Sequence, residues 1–260
     1  MMGYMTLKNN IPTEKPAWSG SDLVDNPHAA CDKARRVEEM FTSIARDYDL
    51  NNRVHSMWRD QVWRKRAVDL ACPQLSDDVV DVACGTGDLS MAFHKAGVKS
   101  VVGIDFTQAM LDLAIVKAQK EQLPIQYKQG DAMELELSNE CADIVSIAFG
   151  LRNVQEPAKA IAEFYRVLRP GGRVIILEFS TPKNLLLRAF NNIYTKRIMP
   201  LTATLISRDK SGAYKYLPKS VETFAKPAEI ALELQKVGFD AVIQKSQTCG
   251  VCTITRAIKH

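Results

Sequence analysis

Residues 79–90 read VVDVACGTGDLS. An apolar run passes through Cys84 into a turn with glycines at 85 and 87, and a helical period begins at Asp88. Gly85 and Gly87 let the backbone turn tightly and come close to a ligand, and the helix that follows offers N–H groups with no partner inside the helix. The pattern predicts a strand, a ligand-binding turn and a helix, in that order. A dinucleotide fold wants a third glycine or alanine where this chain has Ser90, so the turn alone does not name the ligand.

Outward from this unit, further strand-like runs lie at 100–105, 125–130, 142–149, 173–179, 240–246 and 251–258. Helix starts stand between them, with Thr107 as an N-cap and Pro157 in a first turn. Strand and helix in alternation predict an α/β fold, a parallel sheet with helices on both faces. Two segments fall outside the alternation. Residues 33–72 read as an N-terminal helical cap carrying Trp58 and Trp63 among basic residues, and 183–218 read as a helical insertion after the fifth strand. Residues 1–30 read as a disordered tail and 31–260 as one domain.

Composition narrows the class. Apolar residues make up 46% and charged residues 25%, which is ordinary for a globular protein, and the apolar runs are shorter than a membrane-spanning helix needs. The start lacks a basic patch, an apolar core and a cleavage site, so a cytoplasmic location is expected. Six scattered cysteines suit free thiols in a reducing compartment, and the CGVC stretch at 249–252 precedes a strand on which i and i+3 face apart, a poor metal chelate. A net charge of +4 is too weak for nucleic acid but is compatible with resting on an anionic membrane.

Three strand ends converge on one ligand. Asp105 closes the second strand 18 residues after Gly87, where a carboxylate accepts from both ribose hydroxyls of an adenosine. The third strand ends in GDA, placing Asp131 and Ala132 for the adenine. The alternative is that Asp105 and Asp131 only cap turns. Asp88 at the helix start would repel a pyrophosphate and suits an ammonium, which favours S-adenosyl-L-methionine over NAD.

MFTSIARDYDLNN, DVACGTGDLS, GID, GDA, FGLRNV, RVLRPGGRVIILEFSTP, AYKYLPKSV and TCGVCTITRA together resemble the C-methyltransferases of ubiquinone and menaquinone biosynthesis. The resemblance implies a seven-stranded Rossmann-like S-adenosylmethionine methyltransferase sheet in the order 3-2-1-4-5-7-6 with one antiparallel strand, N-terminal helices and a helical lid. It implies cofactor contacts at Thr86, Asp105, Phe106, Asp131 and Ala132, with Ala83, Gly85 and Gly87 in the turn and Tyr48 lining the pocket. Two positions depart from the pattern. Ala148 stands where a serine is usual, leaving only backbone to contribute, and Ala83 replaces a frequent glycine.

The implied reaction is C-methylation of a prenylated benzoquinol or naphthoquinol. A quinol becomes nucleophilic at carbon on losing a hydroxyl proton, so a fixed cation at Arg152 is expected to support the quinolate and Asn153 to orient it or the loop. The alternative for Arg152 is a structural ion pair with Glu156 or Glu178. His55 is a weaker acid–base candidate. The substrate implies a membrane surface as a transient partner, with quinone-pathway enzymes and a second copy of the chain as further partners. Leu185, Leu186, Leu187, Phe190, Ile193 and Tyr194, with Trp58 and Trp63, are candidates for lipid contact. Two other readings stand beside this one: methylation of another lipid or phenol, and a non-catalytic quinone-binding assembly component.

Overall fold

The protein is described by a computed structural model covering residues 16–207, 209 and 211–260. Seven strands form one sheet in the order β3-β2-β1-β4-β5-β7-β6. They are β1 (Asp78–Val82), β2 (Ser100–Asp105), β3 (Gln126–Gln129), β4 (Ala142–Ala148), β5 (Leu168–Phe179), β6 (Phe239–Gln247) and β7 (Cys252–Lys259). The first five run parallel, and β7 lies antiparallel between β5 and β6. Order and direction are those implied by the resemblance.

Alternation along β1 shows how the sheet fills two layers. Val80 and Val82 join an apolar cluster with Ala160, Ile161 and Phe164 of α5 (Pro157–Val167), while Val79 points to the other face. There it meets Trp63 and Ala67 of α2 (Arg59–Ala71) and Phe93 of α3 (Asp88–Lys95). Phe93 and Phe164 have no exposed surface, and burying each such side chain stabilises the fold by about 1.5–3 kcal/mol. A third cluster sits beside the sheet under the N-terminal helices. It joins α1 (Lys33–Ser56), α4 (Gln108–Lys120), α7 (Met199–Ser207) and α8 (Ala213–Thr223). α6 (Leu185–Ile193) precedes α7 through a short π-helical stretch, and α9 (Pro227–Val237) completes the layer against β6.

The structure corrects three expectations. The tail reading of 1–30 fails for its second half. Trp18 is 1% exposed, stacks on Tyr216 with ring centroids 4.6 Å apart, and donates its backbone N–H to Ser211 O at 3.0 Å. The indole supplies enough apolar surface to fix the segment; residues 1–15 lie outside the described residues. Trp63 is a core residue, 4% exposed, with its indole N–H donating to Thr248 Oγ1 at 2.8 Å, so only Trp58 of the pair faces outward. Cys84 stands just beyond β1, and β5 begins earlier than expected, at Leu168.

Candidate functional site

The carboxyl ends of β1, β2, β3 and β4 surround a partly open cavity. Parallel strands end on the same side, so their following turns are brought together there. β1 supplies Ala83 and Gly85; β2 supplies Asp105 and Phe106. Asp131 and Ala132 follow β3, and Ala148 to Gly150 with Asn153 follow β4. α1 closes the top with Phe41 and Tyr48. Of the expected cofactor residues, Tyr48, Ala83, Gly85, Asp105, Phe106, Asp131, Ala132 and Ala148 thus share one wall. Thr86 lines a smaller adjoining cavity, and Gly87 faces neither.

The turn after β1 is held by Asp105. One carboxylate oxygen accepts from Gly85 N–H at 2.7 Å and the other from Thr107 N–H at 2.8 Å, which fixes both turns around one acid. Burial pushes the Asp105 pKa up while these amides pull it back. Gly85 has φ +56° with open space where a Cβ would be, so the cavity floor is bare backbone at this point. Gly87 serves packing instead: at φ +82° the space a Cβ would need is taken by the Tyr127 ring. Asp131 accepts from Met133 N–H at 2.8 Å, and so caps its own turn as well as lining the cavity.

Two non-glycine residues hold left-handed backbone beside the cavity, Ala83 at φ +50° and Phe149 at φ +57°. This explains why glycine is usual at 83. The turns carrying them touch, because a Cβ on Gly150 would meet Ala83 Cβ at 2.6 Å.

Arg152 does not face the cavity. Its Nη1 donates to Glu178 Oε1 at 2.8 Å and to Phe149 O at 2.5 Å, with both charged side chains almost fully buried. The ion pair with Glu178 is the alternative left open by the sequence, and the expectation that the guanidinium meets the quinolate directly is replaced by it. Asn153 does line the cavity. Its amide donates to Phe149 O at 3.2 Å and accepts from the Tyr216 hydroxyl at 3.0 Å. His55 lies outside the site, paired with the Tyr194 hydroxyl at 3.3 Å.

Sequence reasoning missed four charged groups. Asp49 accepts from Thr86 Oγ1 at 2.6 Å and from Lys117 Nζ at 2.7 Å. Lys117 also donates to Asp88 at 2.5 Å, and Arg53 reaches the same carboxylate at 3.1 Å. α1, the Gly-rich turn and α4 are thereby tied together. Asp81 lies under the turn, accepting from Ser90 Oγ at 2.6 Å and Ser146 Oγ at 2.7 Å, and burial raises its pKa to about 6. The sequence did carry a signal for Asp81, since a carboxylate inside an apolar strand needs partners. Lys117 and Arg53 gave none. Among the described residues no group of three His, Cys, Asp or Glu is placed to hold a metal.

The model of the ubiE/COQ5 methyltransferase family matches residues 29–259. This chain belongs to that family. A demethylmenaquinone methyltransferase of Deinococcus radiodurans is 42% identical over 80% of this chain and 86% of its own length. The ubiquinone/menaquinone biosynthesis C-methyltransferase UbiE of Campylobacter jejuni is 38% identical over 87% of this chain and 99% of its own. In fold, a solved SAM-dependent methyltransferase of Thermotoga maritima superposes with a TM-score of 0.61 at 17% identity, covering 86% of this chain and 100% of that one. The ubiE/COQ5 match spans every element that lines the cavity, from Ala34 on α1 to Gln155 after β4. The cofactor of this family of methyltransferases is S-adenosyl-L-methionine.

Proposed function

We propose that this protein transfers a methyl group from S-adenosyl-L-methionine to a ring carbon of a prenylated quinol, a reading supported by relatives named as a demethylmenaquinone methyltransferase and a ubiquinone/menaquinone biosynthesis C-methyltransferase. The observation that carries the reading is the presence of two chemistries in one cavity. Asp105 and Asp131 give the cavity acceptors, while Val37, Phe41, Met110 and Val154 give it apolar surface against which a ring can lie. The bound cofactor supplies an electrophilic methyl group on sulfur.

The chain's own work is orientation and charge. Asn153 has one amide hydrogen on Phe149 O, which leaves a second for a quinol oxygen. Arg152 acts from behind as a positioning residue, since its pairing with Glu178 and Phe149 O fixes the turn that presents Asn153. Ring methylation forms one C–C bond, breaks one S–C bond and releases one proton. Purified protein incubated with the cofactor and demethylmenaquinol should yield a quinol heavier by one methylene unit. Cofactor binding without any methylated product, from benzoquinol or naphthoquinol, would favour the assembly-component reading.

The insertion α6–α8 is read as a cover that meets a lipid surface. Leu185, Leu186 and Phe190 are more than two-thirds exposed, and no helix among the described residues is long and apolar enough to cross a membrane. Tyr194 donates to His55 O at 3.1 Å, which brings the exposed Met57 and Trp58 beside this face. Exposed Lys183 and Arg197 give it the charge that suits anionic headgroups.

A further inference from the structure

Asn153 is held from both sides of its amide. Its Nδ2 donates to Phe149 O at 3.2 Å, and its Oδ1 accepts from the hydroxyl of Tyr216, a 1% exposed residue of α8, at 3.0 Å. The last torsion of an asparagine side chain is broad, so a single bond leaves the amide plane free to swing, and two bonds set it. The direction of the second N–H therefore depends on where the Tyr216 hydroxyl stands.

Residues 17–28, ahead of α1, seat that tyrosine. Trp18 stacks on the Tyr216 ring with the planes inclined by 23°, and its backbone N–H donates to Ser211 O at the start of α8. At Gly212, φ +86°, a Cβ would collide with Trp18 O, so this close approach of two backbones needs glycine. Further along, Lys219 Nζ donates to Val24 O at 2.9 Å, and His28 Nε2 donates to Ser220 O at 2.9 Å. Arg36 of α1 pins the segment in turn: its guanidinium lies 5.4 Å from the centre of the Trp18 ring and 3.0 Å from an Asp22 carboxylate oxygen, and it donates to Ala17 O at 3.3 Å. α8 is thus fastened on either side of Tyr216 by chain that precedes the residues matched by the family model. Ring stacking depends on direction, so these contacts set where the phenol points as well as burying it.

We propose that Tyr216, seated by Trp18, is a positioning residue for methyl transfer: its hydroxyl sets the plane of the Asn153 amide and so aims the second N–H at the quinol oxygen. The proposal rests on the role given to Asn153 above. It goes beyond that role in making residues 17–28, outside both the sheet and the family match, part of what aligns the ring. The competing account is that Trp18 and Tyr216 only fill the third apolar cluster.

Tyr216→Phe keeps the stack and removes the hydroxyl. Turnover of demethylmenaquinol should fall about fivefold or more, while cofactor affinity by calorimetry stays within about twofold. Trp18→Ala should show the same split, with Trp18→Leu in its place if that variant does not fold. Trp18→Phe keeps an aromatic face on Tyr216 and should recover turnover to within about twofold of wild type. Because both residues act through one bond, Trp18→Ala combined with Tyr216→Phe should lose no more than the worse single variant, where independent damage would multiply. In spectra of nitrogen-labelled protein without quinol, the Asn153 side-chain amide signal, identified by its loss in Asn153→Ala, should move in Tyr216→Phe. Full turnover in Tyr216→Phe, an unmoved amide signal, or losses that multiply in the double variant would overturn the proposal. Asn153→Ala separates it from the reading beneath: wild-type turnover there would remove the role of Asn153 itself, whereas a loss there beside full turnover in Tyr216→Phe would remove this inference alone.

Discussion

Arg152 and Glu178 form a buried ion pair that ties the turn after β4 to the end of β5. The Glu178 carboxylate also accepts from the backbone N–H of Arg152 at 3.2 Å and of Phe179 at 2.8 Å. Removing it strands a cation in the interior. Glu178→Ala should therefore lower stability by about 3–5 kcal/mol, measured as a shifted urea midpoint. Because Arg152 acts through Asn153, Arg152→Lys should reduce turnover about tenfold while cofactor affinity stays within about twofold. A matching loss of cofactor affinity would mean that Arg152 is not confined to the quinol side.

Asp105 is the hinge of the nucleoside end. Asp105→Ala removes the proposed ribose acceptor and frees the Gly85 and Thr107 amides, so cofactor affinity should drop about tenfold or more by calorimetry. Unchanged affinity in a folded variant would leave Asp105 as a turn cap alone.

Ala83 offers a test in the opposite direction. At φ +50° its Cβ is strained, and Ala83→Gly should raise stability by about 1 kcal/mol. A fall in thermal midpoint would show that the contact with the Gly150 turn outweighs the strain.

Lys33 carries the pH dependence. It has no exposed surface, and its ammonium donates to Val154 O at 2.5 Å. Burial first, and the charge of Arg152 second, lower its pKa from 10.5 to about 8. Between these values the folded chain has lost a proton that the unfolded chain keeps, so this group's contribution to stability rises with pH. Wild type should accordingly gain on Lys33→Met between about pH 8 and about pH 10, by about 1–3 kcal/mol. A pH-independent difference in urea midpoints would place the Lys33 pKa near its ordinary value.

The face of α6 separates lid from core. Leu186→Ser with Phe190→Ser should leave stability nearly unchanged, because both side chains are exposed, and should weaken binding to anionic vesicles. Activity on long-tailed quinols should fall more than on short-tailed analogues. Equal loss on both would argue that the face meets another part of a protein.

The sheet was legible because it rests on local signals. Val79 to Val82 alternate between faces, Thr107 and Pro157 mark helix starts, and each is read within a few residues. The convergence of Asp105 and Asp131 on one cavity was legible because strand ends fix both in space. What failed depended on direction. Arg152 follows Phe149 closely in the chain, yet its side chain turns toward Glu178, 26 residues away, and no spacing rule orients a side chain in a turn. Trp63 and Trp58 read alike among basic residues, and only the path of α2 separates a core indole from an exposed one. Arg53 and Lys117 reach the acids beside the Gly-rich turn from helices whose approach to it is set by packing.

The clamp that Asp49, Lys117 and Asp88 form over Thr86 has a kinetic meaning. α1 roofs the cavity, and lifting it would break charge-assisted bonds that are partly open to solvent. Residence time in the site should then depend on ionic strength, with product exchange quickening as salt screens the clamp and the methyl-transfer step beneath the roof unaffected.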